Sequence, residues 1–277
     1  MLVLQFKGGL GNQLFEYAYY RALIESGKDV KLDYSFFVDK EWAYKINLFP
    51  QVKGINRSKH YSRFYYYQCG VYRKVCRILQ KVYVENVDEE YDKKALDVRS
   101  GLVTGYFQNY IYFDSIKELI RKELEFPVGE EILTKYIEEL DSDKYASIHV
   151  RRMDYLELSD IYGGICDEIY YQNAIEYLIK REKDLKFLIF SDDPDWVIEN
   201  MDIPNSICFS AKEFNHYDDW YDMCLMSHCK HNIIANSSFS WWGAWLNNYP
   251  NKIVICPKRW DNLHPRRGIA CDGWVQM

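Results

Sequence analysis

The chain has 277 residues, enough for two domains of ordinary size, and its composition of 48% hydrophobic and 27% charged residues excludes general disorder. Its net charge of −6 gives no global indication of a nucleic-acid partner. The 25 tyrosines and 8 tryptophans are unusually many, and amphipathic aromatic side chains suit surfaces that bind sugars, although most of them are expected to fill the core.

The eight cysteines form no Cys-x-x-Cys pair, and the spacing of Cys224, His228, Cys229 and His231 matches no standard zinc site. We therefore expect reduced, buried thiols in a cytosolic protein, and no metal. Residues 2–6 enter a predicted strand directly, without the features of a signal peptide. No stretch approaches the ~18 apolar residues of a membrane-spanning helix.

In chain order, the first predicted unit is a strand over 2–6, a glycine-rich loop, a helix and a strand over 30–33. The loop Gly8-Gly9-Leu10-Gly11-Asn12-Gln13 invites a dinucleotide interpretation. However, Leu14 stands where such a loop needs its third glycine, which disfavours NAD or FAD. Its backbone amides can still approach an anion or a sugar, with Asn12 and Gln13 as neutral donors. The alternative is a tight capped turn.

Residues 53–84 contain eight Lys or Arg and no Asp or Glu, with interleaved tyrosines. The apolar spacing over 71–82 predicts a basic amphipathic helix. Such a helix either packs on its domain as a solvated face or attracts anionic lipid or a pyrophosphate-linked acceptor. Peripheral contact of 53–84 with the inner face of the cytoplasmic membrane is therefore one hypothesis.

The rest of the chain alternates between helical and strand patterns, which predicts the α/β class with a parallel sheet and helices on both faces. The polar stretch 138–144 places the domain boundary near 140, which gives an N-terminal domain over 1–140 and a C-terminal domain over 141–277. The predicted strands are 102–107, 145–150, 186–190, 206–209, 231–235 and 252–256, and the predicted helices are 115–124, 130–140, 170–181, 194–200, 217–228 and 238–247.

Polar side chains crowd the end of the strand 145–150, where His149, Arg151, Arg152 and Asp154 follow one another closely. In open α/β sheets, ligands bind outside the carboxyl ends of the strands. Arginine's planar guanidinium matches phosphate oxygens in a bidentate way, so this string indicates a diphosphate. A salt bridge between an arginine and Asp154 is the structural alternative.

Two further strands end in groups that suit the same ligand. The strand 186–190 leads to Asp192, whose carboxylate can accept the paired N–H donors of a guanine edge, and to Asp193, which could equally be a helix N-cap before a proline. The strand 231–235 leads into a helix through Asn236-Ser237-Ser238-Phe239-Ser240, and helix N-termini rich in hydroxyls bind phosphate. Together, the three strand ends predict a nucleoside-diphosphate pocket.

The same strings, in the same order, resemble the family 11 α-1,2-fucosyltransferases, and the resemblance covers most of the chain. Its Ser-Ser-Phe-Ser-Trp-Trp-Gly string is typical of the α-1,2 family, whereas the His-x-Arg-Arg string is shared with α-1,6- and protein O-fucosyltransferases. One departure is Met153, where family members often have glycine. The strings are Gly8 to Phe15, Gly105-Tyr106-Phe107-Gln108, His149 to Tyr155, Tyr170-Tyr171 before Ala174, Phe190-Ser191-Asp192-Asp193, and Asn236 to Trp245.

The resemblance implies a GT-B architecture, with two Rossmann-like domains facing across a cleft and GDP-β-L-fucose bound by the C-terminal one. It implies inverting transfer without a metal, by a bacterial cytoplasmic enzyme that builds an O-antigen, a capsule or another lipid-linked glycan. Arg151 would bind the diphosphate and Arg152 would contact or support it. The donor-binding residues that it assigns are His149, Arg151, Arg152, Asp192, Asp193, Asn236, Ser237, Ser238, Phe239, Ser240, Gly11, Asn12 and Gln13.

For catalysis, we expect the 2-hydroxyl of a terminal galactose to attack the fucose carbon opposite GDP. Arg151 and the helix start at 237–240 would stabilise the leaving phosphate in place of Mg²⁺. Asp154 is the first candidate for the general base, and Glu157 and Asp160 follow. Alternatives are another fucosyl linkage, α-1,6 or protein O-linked, and a non-catalytic module that binds nucleotide sugars or glycans.

Overall fold

The protein is described by a computed structural model over residues 1–37, 43–52, 81–127, 131–209, 218–265 and 268–277. It divides into two compact units, Met1–Pro127 and Val128–Met277. The division precedes the helix Glu131–Glu139, so the boundary expected near 140 lies too late in the chain. The helix belongs to the second unit, where the ring of Tyr136 packs edge-on against Phe209 at 5.9 Å between centroids.

The described part of the first unit contains a parallel sheet in the order β2-β1-β4-β3. Leu2 of β1 pairs with Val30 on one side and with Gly101 on the other, which places β1 in the interior of the sheet. Central parallel strands are buried on both faces, and β1 accordingly reads as an almost continuous apolar run. The strands are β1 (Leu2–Gln5), β2 (Val30–Asp33), β3 (Val82–Val84) and β4 (Gly101–Thr104).

The helix Leu10–Glu25 connects β1 to β2, as the sequence predicts. It ends in a Schellman motif, because Gly27 adopts a left-handed φ of 81° and Lys28 N–H donates to the carbonyl of Leu23 at 3.1 Å. The other helical segments in the described part of the unit are short: the α-helix Lys117–Glu123 and the 3₁₀ turns Ser35–Phe37, Ile46–Leu48, Lys93–Asp97, Tyr110–Tyr112 and Asp114–Ile116.

The strand predicted over 102–107 stops at Thr104 because a carboxylate turns the chain out of the sheet. Glu85, which follows β3, accepts hydrogen bonds from the backbone N–H groups of Tyr106 and Phe107, both at 2.8 Å, through its Oε2 atom. Phe107 then adopts a φ of 50° and stacks on Tyr19, with 3.8 Å between ring centroids. A long-range side-chain contact of this kind leaves no local sequence signal.

The basic segment 53–84 lies outside the described residues except at its end. There, Val82 begins β3 and pairs with Leu102, so the described end of the helix predicted over 71–82 is a strand. The helices in the described ranges include none long and apolar enough to cross a membrane.

The described part of the second unit contains a second parallel sheet, in the order β10-β9-β8-β5-β6-β7. Its strands are β5 (Tyr145–Val150), β6 (Lys186–Ser191), β7 (Ser206–Cys208), β8 (His231–Ile233), β9 (Val254–Cys256) and β10 (Val275–Gln276). Its helices are Glu131–Glu139, Met153–Glu157, Ser159–Tyr162, Glu168–Ile179, Pro194–Asn200, Trp220–Ser227 and Ser238–Leu246.

This unit confirms the strands and helices predicted after residue 145, with ends shifted by a few residues. It adds two short helices over 153–162, where the sequence indicates a loop, and the terminal strand β10. Its core packs Ile148 and Phe187 of the sheet against Ala174 and Leu178 of the helix Glu168–Ile179. Both units are therefore α/β with parallel sheets, which confirms the predicted α/β class.

We expect Gly105→Ala to destabilise the first unit by about 2–4 kcal/mol. A methyl group there would lie 2.4 Å from Cβ of Glu85 and 2.6 Å from its Oε2, and would displace the carboxylate from two backbone amides. Chemical denaturation measures the effect. Gly9→Ala is the matched control, since no atom lies within 4 Å of its added methyl; equal stability of the two variants would contradict the prediction.

Candidate active site

The predicted site residues of the second unit cluster at the switch point of its sheet. From β5, the chain runs outward through β6 and β7, and then returns to place β8, β9 and β10 on the other side of β5. Ligands in open α/β sheets bind in the crevice at the carboxyl ends of the two strands where this order reverses. Here these strands are β5, which leads to Arg151, and β8, which leads to Asn236.

Two tyrosines allow the strands β5 and β8 to separate at this point. Their register ends with the pair Ile148–Ile233. Beyond it, the carbonyl of His149 accepts a hydrogen bond from the Tyr171 hydroxyl at 2.9 Å, and the carbonyl of Ile234 accepts one from the Tyr170 hydroxyl at 2.6 Å. Buried carbonyl groups need hydrogen-bond donors. The two hydroxyls supply these donors, so the strands can separate without leaving buried carbonyl groups unpaired.

Arg151 lies between two carboxylates at the end of β5. Its Nε atom is 2.8 Å from Oδ1 of Asp154 and 3.1 Å from Oδ2 of Asp192. Burial alone would lower the pKa of Arg151, but the hydrogen bond to Asp154 and the charge of Asp192 outweigh it and raise the pKa above its ordinary value. Both ion pairs use Nε, so the terminal amino groups of the guanidinium remain suited to a bidentate contact with another anion.

Arg152 is directed to a different set of partners. Its Nε is 3.1 Å from Oδ2 of Asp193, and its guanidinium lies 3.5 Å from the centre of the Trp196 ring. Its backbone N–H donates to Oδ1 of Asp192 at 2.9 Å. These contacts tie the ends of β5 and β6 together, which supports the interpretation of Arg152 as a supporting residue.

The two aspartates after β6 therefore hold arginines. Asp193 also accepts the N–H of Trp196 at 3.3 Å, so its alternative role as helix N-cap is confirmed. Asp192 has one oxygen on the Arg152 backbone and the other beside Arg151. Oδ2 of Asp192 has no hydrogen-bond partner among the described residues, so its predicted guanosine contact stays a prediction, whereas both oxygens of Asp193 are engaged.

His149 has a buried ring nitrogen that the described residues leave without a hydrogen-bond partner. Its side chain is buried, its ring lies 5.7 Å from the ring of Phe239, and its Nδ1 atom has no hydrogen-bond partner among the described residues. Burial, and then the charge of Arg151, lowers the pKa of His149 to about 3. The imidazole is therefore neutral near neutral pH and can make one further hydrogen bond to a polar ligand.

The helix Ser238–Leu246 directs its N-terminus at the same crevice. Ser237 is its N-cap and accepts the N–H of Phe239 at 3.3 Å, while Asn236 donates its amide to the carbonyl of Trp260 at 3.1 Å. Ser240 is fully buried, and its hydroxyl is directed at the Ser237 carbonyl at 3.4 Å. The phosphate contact predicted for Ser240 thus gains no support from the direction of its hydroxyl, while the first-turn amides are of the kind that bind phosphate.

Indole rings fix this helix in the core. Trp241 donates to the carbonyl of Ile269 at 2.7 Å, and Trp242 is also completely buried. A Cβ atom at Gly243 would lie 2.9 Å from Cβ of Met226, so the glycine allows the helix Trp220–Ser227 to approach closely. Trp241, Trp242 and Gly243 thus pack the helix against the rest of the second unit.

The structure distinguishes the candidate bases by their contacts. Asp154 lies on the short helix Met153–Glu157 and forms the salt bridge to Arg151 that the sequence analysis gives as its alternative role. Glu157 is exposed at the end of the same helix. The described residues contain no group of three or more His, Cys, Asp or Glu side chains that could hold a metal ion.

Gln13, which is predicted to contact the sugar donor, forms hydrogen bonds within the first unit. Gln13 donates its amide hydrogens to the carbonyls of Gly8 and Ala43 at 2.8 and 2.5 Å, and its oxygen accepts from the N–H of Lys45 and Ile46 at 2.8 and 3.3 Å. Both amide hydrogens of Gln13 are therefore used within the first unit, and its predicted contact with the sugar donor stays a prediction.

The neighbouring residues of the same loop are also held within the first unit. Asn12 accepts a hydrogen bond from the Gln108 amide at 2.5 Å, which links two strings of the resemblance within the first unit. Gly11 is buried inside the first turn of the helix Leu10–Glu25. Their predicted donor contacts stay predictions.

Sequence reasoning missed the tyrosines that shape the site. All three, Tyr155, Tyr170 and Tyr171, stand in strings of the resemblance without an indicated role, yet the Tyr155 hydroxyl donates to the carbonyl of Asn236 at 2.6 Å. The high tyrosine content was the available signal. It could not identify these three among 25 tyrosines.

The fold and this set of side chains are those of a glycosyltransferase. The chain matches the model of Glycosyl transferase family 11 over residues 5–276, and it belongs to that family.

Two curated relatives and one solved structure illustrate the similarity. The chain is 33% identical to an α-1,2-colitosyltransferase of Escherichia coli, over 94% of this chain and 92% of that protein. It is 30% identical to the O-antigen biosynthesis glycosyltransferase WbnK of Escherichia coli, over 98% of each. A mutant of Arabidopsis thaliana FUT1 in complex with GDP aligns with a TM-score of 0.46 and 14% identity, over 92% of this chain and 70% of that one.

We expect His149→Phe to reduce the acid sensitivity of the fold. The folded pKa of about 3 lies below the ordinary 6.5, so the folded protein binds fewer protons and loses stability as the pH falls below 6.5. Between pH 6.5 and 5, this loss amounts to at most about 2 kcal/mol. Unfolding free energies of wild type and variant across that range measure it, and parallel curves would refute a buried neutral histidine.

Proposed function

We propose that this glycosyltransferase transfers L-fucose from GDP-β-L-fucose, with inversion, to the 2-hydroxyl of a terminal β-galactoside. The observation that carries the proposal is the convergence of Arg151 and the N-terminus of the helix Ser238–Leu246 at one switch point. Relatives named galactoside α-(1,2)-fucosyltransferase 1, from rat and human among others, support the sugar and the linkage.

The diphosphate would take the place between these two groups. The terminal amino groups of Arg151 would make a bidentate contact, and the first-turn amides near Ser238 would donate to the other oxygens. Negative charge grows on the leaving phosphate in the transition state. Donors that are already oriented stabilise that charge most effectively, and we propose that they do so without a metal ion.

The nucleoside would lie beside His149, whose buried Nδ1 supplies a directed hydrogen bond. This contact is independent of pH over the physiological range, because the imidazole stays neutral. Asp192 and Asp193 contribute indirectly by fixing Arg151 and Arg152.

Asp154 remains our candidate for the general base. Its ion pair with Arg151 uses Oδ1, and half of its side chain is exposed, so the carboxylate is within reach of a substrate hydroxyl. Once a diphosphate neutralises Arg151, the attraction that holds Asp154 on Nε weakens. The same residue could then accept the proton of the attacking hydroxyl.

The variant Asp154→Asn separates catalysis from arginine orientation, because an asparagine oxygen can still accept the hydrogen bond of Nε. We expect kcat to fall by about 100-fold or more, with the KM for the donor changed by less than about threefold. Glu157→Gln is the matched control and should leave both constants near wild type. A raised donor KM with a preserved kcat would assign Asp154 to orienting Arg151 alone.

The donor sugar has a specific alternative. One relative is an α-1,2-colitosyltransferase, and its identity to this chain extends over nearly the whole length. A colitosyl donor would use the same nucleotide contacts and a different sugar contact. O-antigen biosynthesis is the proposed context, because the relative WbnK carries that name. A lipid-linked acceptor and membrane contact through 53–84 stay proposals, as that segment is almost wholly outside the described residues.

Transfer assays with GDP-fucose and GDP-colitose, across a panel of β-galactosides and with or without EDTA, test the function directly. We expect α-1,2-fucosylated products by NMR linkage analysis, at equal rates with EDTA. An α-1,6 or protein-linked product would favour the other fucosyltransferase classes. Binding of donor without turnover would favour a non-catalytic module. A loss of activity in EDTA that Mg²⁺ restores would contradict the metal-free mechanism.

A further inference from the structure

Tyr155 bridges the two sides of the switch-point crevice. It lies on the helix Met153–Glu157, which follows β5, and its hydroxyl donates to the backbone carbonyl of Asn236, which follows β8, at 2.6 Å. The contact joins positions 81 residues apart in sequence. It is therefore a direct connection between the segment that carries Arg151 and the segment that begins the helix Ser238–Leu246.

The Tyr155 side chain is held rigidly in this position. Its ring stacks on Tyr162 of the next short helix, with 4.4 Å between centroids and 17° between planes. Burial, reinforced by the neighbouring Tyr162, raises the pKa of Tyr155 above its ordinary value. The hydroxyl therefore stays protonated and always acts as a donor to the carbonyl.

The carbonyl that it binds belongs to the peptide unit that precedes the helix N-cap. The same planar unit contains the N–H of Ser237, so a hydrogen bond to the Asn236 oxygen also fixes the direction of that N–H. The rest of Asn236 is held from other sides: its side-chain amide donates to Trp260, and its backbone N–H faces the sulfur of Cys166. Tyr155 supplies the contact on the crevice side.

In sequence, Tyr155 directly follows Asp154, whose carboxylate contacts Nε of Arg151. A displacement of the short helix would therefore move the guanidinium and the peptide at Asn236 together. We propose that Tyr155 is a positioning residue that sets the spacing between Arg151 and the helix N-terminus, so that both contact a single diphosphate. The inference rests on the proposed nucleotide-sugar donor.

The variant Tyr155→Phe removes the hydroxyl and keeps the ring on Tyr162. We expect the Kd for GDP and the KM for the donor to rise by about three- to tenfold, with the KM for the acceptor unchanged. Calorimetry with GDP and steady-state kinetics measure these constants. Tyr19→Phe is the matched control: it loses a buried hydroxyl bond of 2.7 Å to the carbonyl of Ala95 in the first unit, and donor constants should stay at wild-type values.

A double-mutant cycle with Arg151→Lys distinguishes spacing from a general loss of stability. If Tyr155 acts by positioning Arg151, the effects of the two substitutions on GDP affinity are non-additive. Each substitution alone already disrupts the joint contact of Arg151 and the helix N-terminus with one diphosphate. Additive effects, or a parallel rise of donor and acceptor KM with a lowered Tm, would overturn the proposal.

Binding of GDP by the wild type distinguishes failure of the proposed function from failure of the role proposed for Tyr155. If wild type binds GDP but Tyr155→Phe binds it equally well, the role of Tyr155 is wrong and the function stands. If wild type does not bind GDP, the function fails and the inference fails with it.

Discussion

Parallel strands cannot separate inside a protein unless the carbonyl groups that they release find other donors, and β5 and β8 separate where the candidate site begins. Side-chain hydroxyls from Tyr170 and Tyr171 supply those donors, and a third, from Tyr155, lies just beyond them. The crevice thus depends on tyrosine hydroxyls that donate hydrogen bonds to backbone carbonyls. A polar group at the end of a long, rigid ring reaches across the sheet edge at a small cost in side-chain entropy.

The attraction of the site for an anion depends on where its N–H groups point more than on its net charge. Two arginines and three aspartates, Arg151, Arg152, Asp154, Asp192 and Asp193, sum to a formal charge of −1, which by itself would not attract a diphosphate. Attraction must come from N–H groups that are aimed at one point. Asp154 is the most exposed of the three carboxylates, and it is the one best able to leave Arg151 when another anion arrives.

Much of this arrangement could be predicted from sequence, because parallel α/β folds place strand ends on one edge in a regular order. The periodicity of residues after 145 located strands and helices, and three polar strings located the edge of the sheet. Local partners such as the Arg151–Asp154 ion pair could be predicted, but the long-range partners of individual polar atoms could not. Gln13 and Asp193 look like ligand-binding groups in sequence, yet their hydrogen bonds go to segments that only the folded chain brings near. Ser240 turns inward for the same reason, since its direction depends on helix rotation against the core.

The indole cluster behind the helix N-terminus has an optical consequence. Trp241 and Trp245 lie nearly parallel, 6.1 Å apart, and Trp242 meets both at steep angles, so that excitation energy can pass readily among the three rings. Their fluorescence should report the dry interior next to the crevice. Trp196 lies against the guanidinium of Arg152 and would report the opposite wall. The protein thus carries native chromophores on both sides of its sheet edge.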